Sequence, residues 1–175
     1  MTDQPRRRPI IGVMGAGTAS PRTLELAGRL GRLLAEAGWV VLTGGRPAGV
    51  MDAACVGAKS VAGSLTVGIL PSGPEGPVGR QVDVAIFTGI GEARNTINVL
   101  SSDAVVACGV EGPGTASEVA LALRLGRPTV LLAPSPAALG FFREIAGKAE
   151  LQQASTAEAA IERIEHHFGI RRWTG

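Results

Sequence analysis

The amino-acid sequence predicts an α/β protein, a doubly wound parallel sheet in three layers, and three observations carry that expectation. Short β-branched runs alternate with longer helical ones along the chain. The strand runs are continuously apolar rather than alternating, the pattern of strands covered on both faces by helices. Glycine clusters fall where strands hand over to helices, and the 25 glycines are roughly twice the usual usage of about 7%.

Taken in order, residues 9 to 13 read as a first strand that ends in Met14-Gly15-Ala16-Gly17. Leucines and alanines at helical spacing make 22 to 37 a helix, stopped by Gly38. A second strand covers 39 to 43, followed by Gly44-Gly45 and a small-residue helix over 50 to 62. The third strand is 65 to 70, the Pro/Gly-rich stretch 71 to 79 is a surface loop, and the fourth strand is 84 to 87. A helix over 92 to 101, a fifth strand at 104 to 108, a helix from 115 to 125 and a sixth strand at 129 to 132 follow. A weaker helix spans 137 to 147. The last helix runs from 155 to 168, with Ser155 and Glu158 as its capping box. No repeat or linker interrupts the chain, so 9–175 is read as one domain behind a flexible basic tail at 1–8.

Composition narrows the function classes. The net charge of +2 is the small difference between 17 basic and 15 acidic residues, and Arg6, Arg7, Arg8, Arg171 and Arg172 sit near the chain ends. The body of the domain therefore offers no basic face, and with 3% aromatics and no tyrosine it offers few stacking platforms, so no nucleic-acid partner is expected. Cys55 and Cys108 stand far apart without a CxxC, which argues against zinc or a disulfide framework and fits a reducing, cytoplasmic setting. No leader or membrane-spanning run is evident, and no membrane partner is expected. His166 and His167, in a last helical turn, read as a solvated helix end, and Asp52 as a first-turn charge.

In a doubly wound sheet, ligands bind outside the carboxyl ends of the strands. Glycine lets backbone N–H groups approach an anion there, and the following helix adds partial positive charge. Three turns qualify. Gly15, Gly17 and Thr18 belong to a GxGxxS half-fingerprint, but no acidic residue ends the second strand to hold a dinucleotide ribose. Gly44, Gly45 and Gly49 form a second candidate cradle. Gly112, Gly114 and Thr115, in Gly-Pro-Gly-Thr-Ala-Ser-Glu118, form the third and most specific. The expected ligand is a small phosphorylated molecule.

The third turn resembles the GxGTxxE core of the PGGxGTxxE motif of the "lysine decarboxylase-like" Rossmann superfamily. That superfamily includes the LONELY GUY phosphoribohydrolases and the molybdenum-cofactor carrier proteins. Arg94, in Gly91-Glu92-Ala93-Arg94-Asn95, matches the family arginine, and Gly44, Gly45, Gly49, Val50, Met51 and Ala53 match its second glycine segment. The similarity runs from about residue 9 to 133 and implies a Rossmann-like fold and a homo-oligomer, dimer or tetramer. Val110-Glu111 replaces the family's Pro-Gly, and the segment is one residue longer, so the enzyme signature is incomplete. The chain stands nearer the carrier-like branch, where the molybdenum cofactor would be its cargo.

Two readings of Glu118 stay open here. The resemblance implies a catalytic pair, Glu118 and Arg94, acting on an N-glycosidic bond, where a carboxylate stabilises oxocarbenium-like charge or activates water. Alternatively, Thr115 at an N-cap with Glu118 three residues on is only a capping box. Arg94 near a helix start opposes the macrodipole, which suggests an anionic partner, ligand or Glu118. Binding of a nucleotide- or pterin-type molecule, hydrolysis of a nucleoside monophosphate, and a regulatory sensor are the competing functions. Decarboxylation is not among them. Lys59 and Lys148 are the only lysines, and neither lies in a glycine-rich turn that could form a Schiff base.

Overall fold

The computed structural model describes residues 7–174. Seven parallel strands form one sheet: β1 (Ile10–Met14), β2 (Val40–Thr43), β3 (Thr66–Leu70), β4 (Val84–Phe87), β5 (Ala104–Cys108), β6 (Thr129–Leu132) and β7 (Leu151–Ala154). Their spatial order is β4-β3-β2-β1-β5-β6-β7. The order reverses between β1 and β5, which pair in parallel from Ile11 opposite Ala104 to Met14 opposite Ala107. The helices are α1 (Pro21–Glu36), α2 (Gly49–Lys59), α3 (Asn95–Leu100), α4 (Pro113–Arg124), α5 (Pro136–Ala146) and α6 (Ala157–Glu162).

Alternation along the buried strands sorts these helices onto two faces. Ile11, Val13, Val41, Val106 and Val130 point toward α1, α2 and α6 in one core that also holds Leu30, Leu34 and Trp39. Met14, Leu42, Ile69 and Val105 point the other way, with Val99 of α3 and Ala122 of α4. Ala107 and Leu131 continue that face against Val119 of α4 and Phe142 of α5. The three layers expected from the sequence are present. A Leu→Ala change at Leu30, which is 0% exposed, would cost about 2–5 kcal/mol.

Small residues bring the layers close. A Cβ on Gly31 of α1 would stand 2.0 Å from the Ala54 carbonyl oxygen of α2. The chain end is fastened as well: the Trp39 indole donates to the Arg171 carbonyl at 2.9 Å, and the Trp173 amide donates to the Ala37 carbonyl at 2.9 Å.

Three expectations need correction. The last helix begins at Ala157, because Thr156 and not Ser155 is its N-cap: the Thr156 hydroxyl accepts from the Ala159 amide at 3.2 Å. Glu158 makes no capping box and instead pairs with Arg29 of α1 at 2.7 Å. Beyond Glu162 the chain widens into a π-helical turn, Arg163–His167, with the Phe168 amide donating to the Arg163 carbonyl at 3.1 Å. The segment 92–101 is not one helix but a 3-10 turn, Gly91–Arg94, followed by the six-residue α3. Strand β7 escaped the sequence reading because Gln152 and Gln153 break its apolar pattern, as an edge strand allows.

Of the basic tail expected at 1–8, residues 1–6 lie outside the described part. Arg7 forks onto the Asp103 carboxylate at 2.6 and 2.7 Å, and Arg8 donates to the Gly63 carbonyl at 3.2 Å. Among the described residues no helix is long and apolar enough to cross a membrane.

Candidate functional site

At the carboxyl edge, where the strand order reverses, the sheet opens into a cleft of about 710 Å3. That is within the size range of small-molecule sites, and a switch point is where doubly wound sheets bind ligands. The β1 turn contributes Gly15 and Gly17, the β2 turn Gly44, the 3-10 turn Arg94, and the β5 turn Gly112, Gly114 and Thr115, with Glu118 from α4. Eight of the residues singled out in the sequence are thus brought together. Thr18, Gly45 and Gly49 do not line the cleft. Gly45 (φ +71°) lets the chain pass against Gly68, and Gly49 (φ +56°) brings α2 against the Ala16 carbonyl, so both shape the wall from behind.

Arg94 and Glu118 are buried together, 4% and 6% exposed. Gly44 makes room for the guanidinium: a Cβ there would sit 2.5 Å from one Arg94 nitrogen. Arg94 Nη1 lies 3.8 Å from Glu118 Oε1, and Asn98 donates to the same oxygen at 2.9 Å. Burial pushes the Glu118 carboxyl above its ordinary value, and the Asn98 hydrogen bond and Arg94 charge only partly offset it. Burial likewise lowers the Arg94 pKa against the opposing pull of Glu118.

The capping-box account of Glu118 does not hold. The N-cap of α4 is Gly112, which has no side chain to cap with, Pro113 is the first helical residue, and Thr115 lies inside the first turn. The Thr115 hydroxyl is buried and has no hydrogen-bond partner among the described residues, and the same is true of Arg94 Nε and Asn98 Oδ1. Buried polar groups are ordinarily paired, so three unpaired ones around the Arg94–Glu118 pair set this region apart. A Cβ at Gly112 or Gly114 would meet open space, leaving the backbone there accessible. The partial positive charge of α4, undiminished by a cap, faces the cleft.

Two side chains escaped the sequence reading. Asn98 follows Arg94 by four residues, one turn on, and that spacing was the signal that could have found it. Arg46, the one cation in the Gly44–Gly49 turn, lines the cleft over Gly17, and its guanidinium makes no hydrogen bond or ion pair among the described residues.

The substitution Val110-Glu111 has a definite geometry. Val110 adopts φ +55°, a left-handed conformation that a β-branched residue rarely takes. Glu111 then reaches back to α1: its carboxylate accepts from the Thr23 hydroxyl at 2.5 Å, the Ser20 amide at 3.0 Å and the Ser20 hydroxyl at 3.3 Å. Those hydrogen bonds, the Thr23 one foremost, hold its carboxyl below the ordinary value.

The remaining candidates are ordinary. Cys55 and Cys108 are buried free thiols, which burial pushes up to about 11 and about 12. His167 is exposed and bonds Gln152 at 2.8 Å, and Asp52 is a first-turn residue of α2. Among the described residues no group of three or more His, Cys, Asp or Glu could hold a metal ion.

Known proteins share this architecture over nearly its whole length. The molybdenum cofactor binding protein of Rippkaea orientalis is 49% identical, with a TM-score of 0.87 over 93% of this chain and 98% of that one. The molybdenum cofactor carrier protein of Chlamydomonas reinhardtii is 43% identical, with a TM-score of 0.85 over 93% and 99%. An uncharacterised protein of Archaeoglobus fulgidus is 45% identical across 71% of this chain and 80% of its own length. The match to the SLOG cluster4 family model extends over residues 8–162, from two residues before β1 to the end of α6, and takes in every cleft-lining turn. This chain belongs to the SLOG cluster4 family.

Proposed function

We propose that this protein binds molybdenum cofactor in the cleft and carries it. The observation that carries the reading is the uncapped N-terminus of α4, where Thr115 and Arg94 line the cleft and the buried Thr115 hydroxyl and Arg94 Nε have no partner among the described residues. A terminal phosphate fits that position: N–H groups at a helix start, a hydroxyl and a guanidinium are what a phosphate takes. Met14, Met51 and Leu121 offer apolar surface for a pterin ring, and Arg46 is an unpaired cation for the other, oxo-anionic end. The likeness to two proteins described as binding or carrying this cofactor supports the same ligand. On this reading the protein acts in the cytoplasm and as a homo-oligomer, which light scattering on the purified protein tests.

Incubation with molybdenum cofactor, removal of free ligand and detection of the pterin by its fluorescence after oxidation tests cargo binding. Stoichiometric retention in the wild type and its loss in Arg94→Ala is the expected result. Absence of retention in the wild type removes the carrier reading.

A second reading rests on Glu118. Its carboxyl is buried in the cleft, raised in pKa and free of any capping duty, as a general acid or base would be. Release of free base and ribose 5-phosphate from AMP or an N6-prenylated AMP, abolished in Glu118→Gln, would make the protein a phosphoribohydrolase.

A further inference from the structure

Every helix comes after a strand of the parallel sheet and so starts at its carboxyl edge; of the three that follow the glycine-rich turns, α1, α2 and α4, two are already engaged by the chain's own acceptors. At α2 the Val50 amide donates to the Ala16 carbonyl at 3.1 Å. At α1 the Ser20 hydroxyl accepts from the Thr23 amide at 3.2 Å, and Glu111 takes the Ser20 amide and both neighbouring hydroxyls. Neither α2 nor α4 has a side-chain cap, and of the three only α4, among the described residues, adjoins the unpaired Thr115 hydroxyl.

The α1 position has a general meaning. In doubly wound sheets, the helix after the first strand is the usual seat of a dinucleotide pyrophosphate. Here that seat holds a carboxylate. Its three partners are an amide and two hydroxyls, all neutral, so its negative charge is not cancelled by a cation. Glu111 also directly precedes Gly112, the N-cap of α4. A second phosphate extending from α4 toward α1 would meet a fixed like charge within a few residues of the first.

We infer that Glu111 is an internal anion that closes the N-terminus of α1 to ligand phosphate, so that the cleft accepts a pterin ending in a single phosphate and rejects one extended by a nucleotide through a pyrophosphate. Glu111 does not line the cleft, so it acts as a specificity residue from behind the β5–α4 turn rather than as a contact for the pterin. The left-handed Val110 is what turns the chain so that Glu111 faces α1. This inference rests on the carrier reading above, whose failure shows separately.

The test is the ratio of two affinities at low ionic strength, for molybdenum cofactor with its single phosphate and for its guanine dinucleotide form. Like charge opposite like charge is worth enough that the wild type should favour the monophosphate form by at least about tenfold. Glu111→Ala should bring the two affinities within about threefold of each other, and Glu111→Gln, which keeps the shape without the charge, should move the same way. Rising salt should shrink the wild-type preference. A wild type that binds both forms equally overturns the inference and leaves the carrier reading standing, whereas binding of neither form ends both. Variants that lose both ligands in equal proportion, ratio unchanged, make Glu111 a structural clamp and also overturn it. Should Glu111→Ala fail to fold, Glu111→Gln decides alone.

Discussion

The N-termini of α1 and α4 start from comparable turns at the same edge of the sheet and end up chemically opposite. At α1 a serine caps the helix and a distant carboxylate, Glu111, completes the set of acceptors. At α4 a glycine stands at the cap, and the nearest hydroxyl and guanidinium nitrogen are left buried and unpaired. The two carboxylates involved lie seven residues apart and are driven in opposite directions. Hydrogen bonds at a helix start hold Glu111 low, whereas burial holds Glu118 high. On the proposed carrier reading, the terminus satisfied from within serves the fold and the unfinished one takes the ligand.

Perturbing the unfinished end should have the largest consequence. Arg94→Ala strands Glu118 in a buried site without its cation, so a loss of about 3 kcal/mol in urea unfolding at neutral pH is expected, and cofactor retention should be lost as well. Unchanged stability would mean that the pair contributes nothing across its 3.8 Å gap. Thr115→Val separates folding from binding. Removing an unpaired buried hydroxyl should leave stability equal or higher while affinity falls by roughly tenfold. If stability drops instead, the hydroxyl is serving the fold and the contrast between the two helices weakens.

The finished end should respond in the reverse sense. Ser20→Ala removes the α1 cap and should cost about 1 kcal/mol in thermal unfolding with ligand affinity for the monophosphate form unaffected. A parallel loss of affinity would merge the two termini into one site.

The smallest effect is a slope against pH. Glu118 has a raised pKa in the folded state, so its contribution favours the fold most below the ordinary carboxylate range and is lost as pH rises through the folded value. Glu111 is lowered, so its contribution is present above the ordinary range and is lost as pH falls through its folded value. Glu118→Gln should therefore stabilise the unliganded protein near neutral pH and flatten its stability between mildly acidic and neutral solution, while Glu111→Gln should lower stability at neutral pH and reduce the loss on acidification. Identical slopes in the two variants would refute the assignment of opposite environments.

Much of this was legible in the chain. Continuous apolar runs such as Ala104–Cys108 marked central strands, because burial on both faces leaves no position for a polar side chain. Glycine clusters after those strands marked the edge where the cleft opens, and Arg94, Thr115 and Glu118 were singled out by their match to the family motif. The two misplaced helix caps share one cause. Ser155 and Thr156 are both competent caps, as are Gly112 and Thr115, and local sequence does not say which adopts the extended backbone of an N-cap. Strand β7 was missed because its identity depends on pairing with β6, not on its own composition.

The sequence by itself determined the layers, six of the seven strands and the edge at which the cleft opens, since those follow from hydrophobic period and from where glycine interrupts it. Only the tertiary structure decided what each polar residue at that edge does. Glu111 is bonded across 88 and 91 residues to Thr23 and Ser20, and Asn98 across 20 to Glu118. Whether a carboxylate is satisfied or desolvated depends on partners that the fold brings from elsewhere in the chain, and no local pattern encodes them.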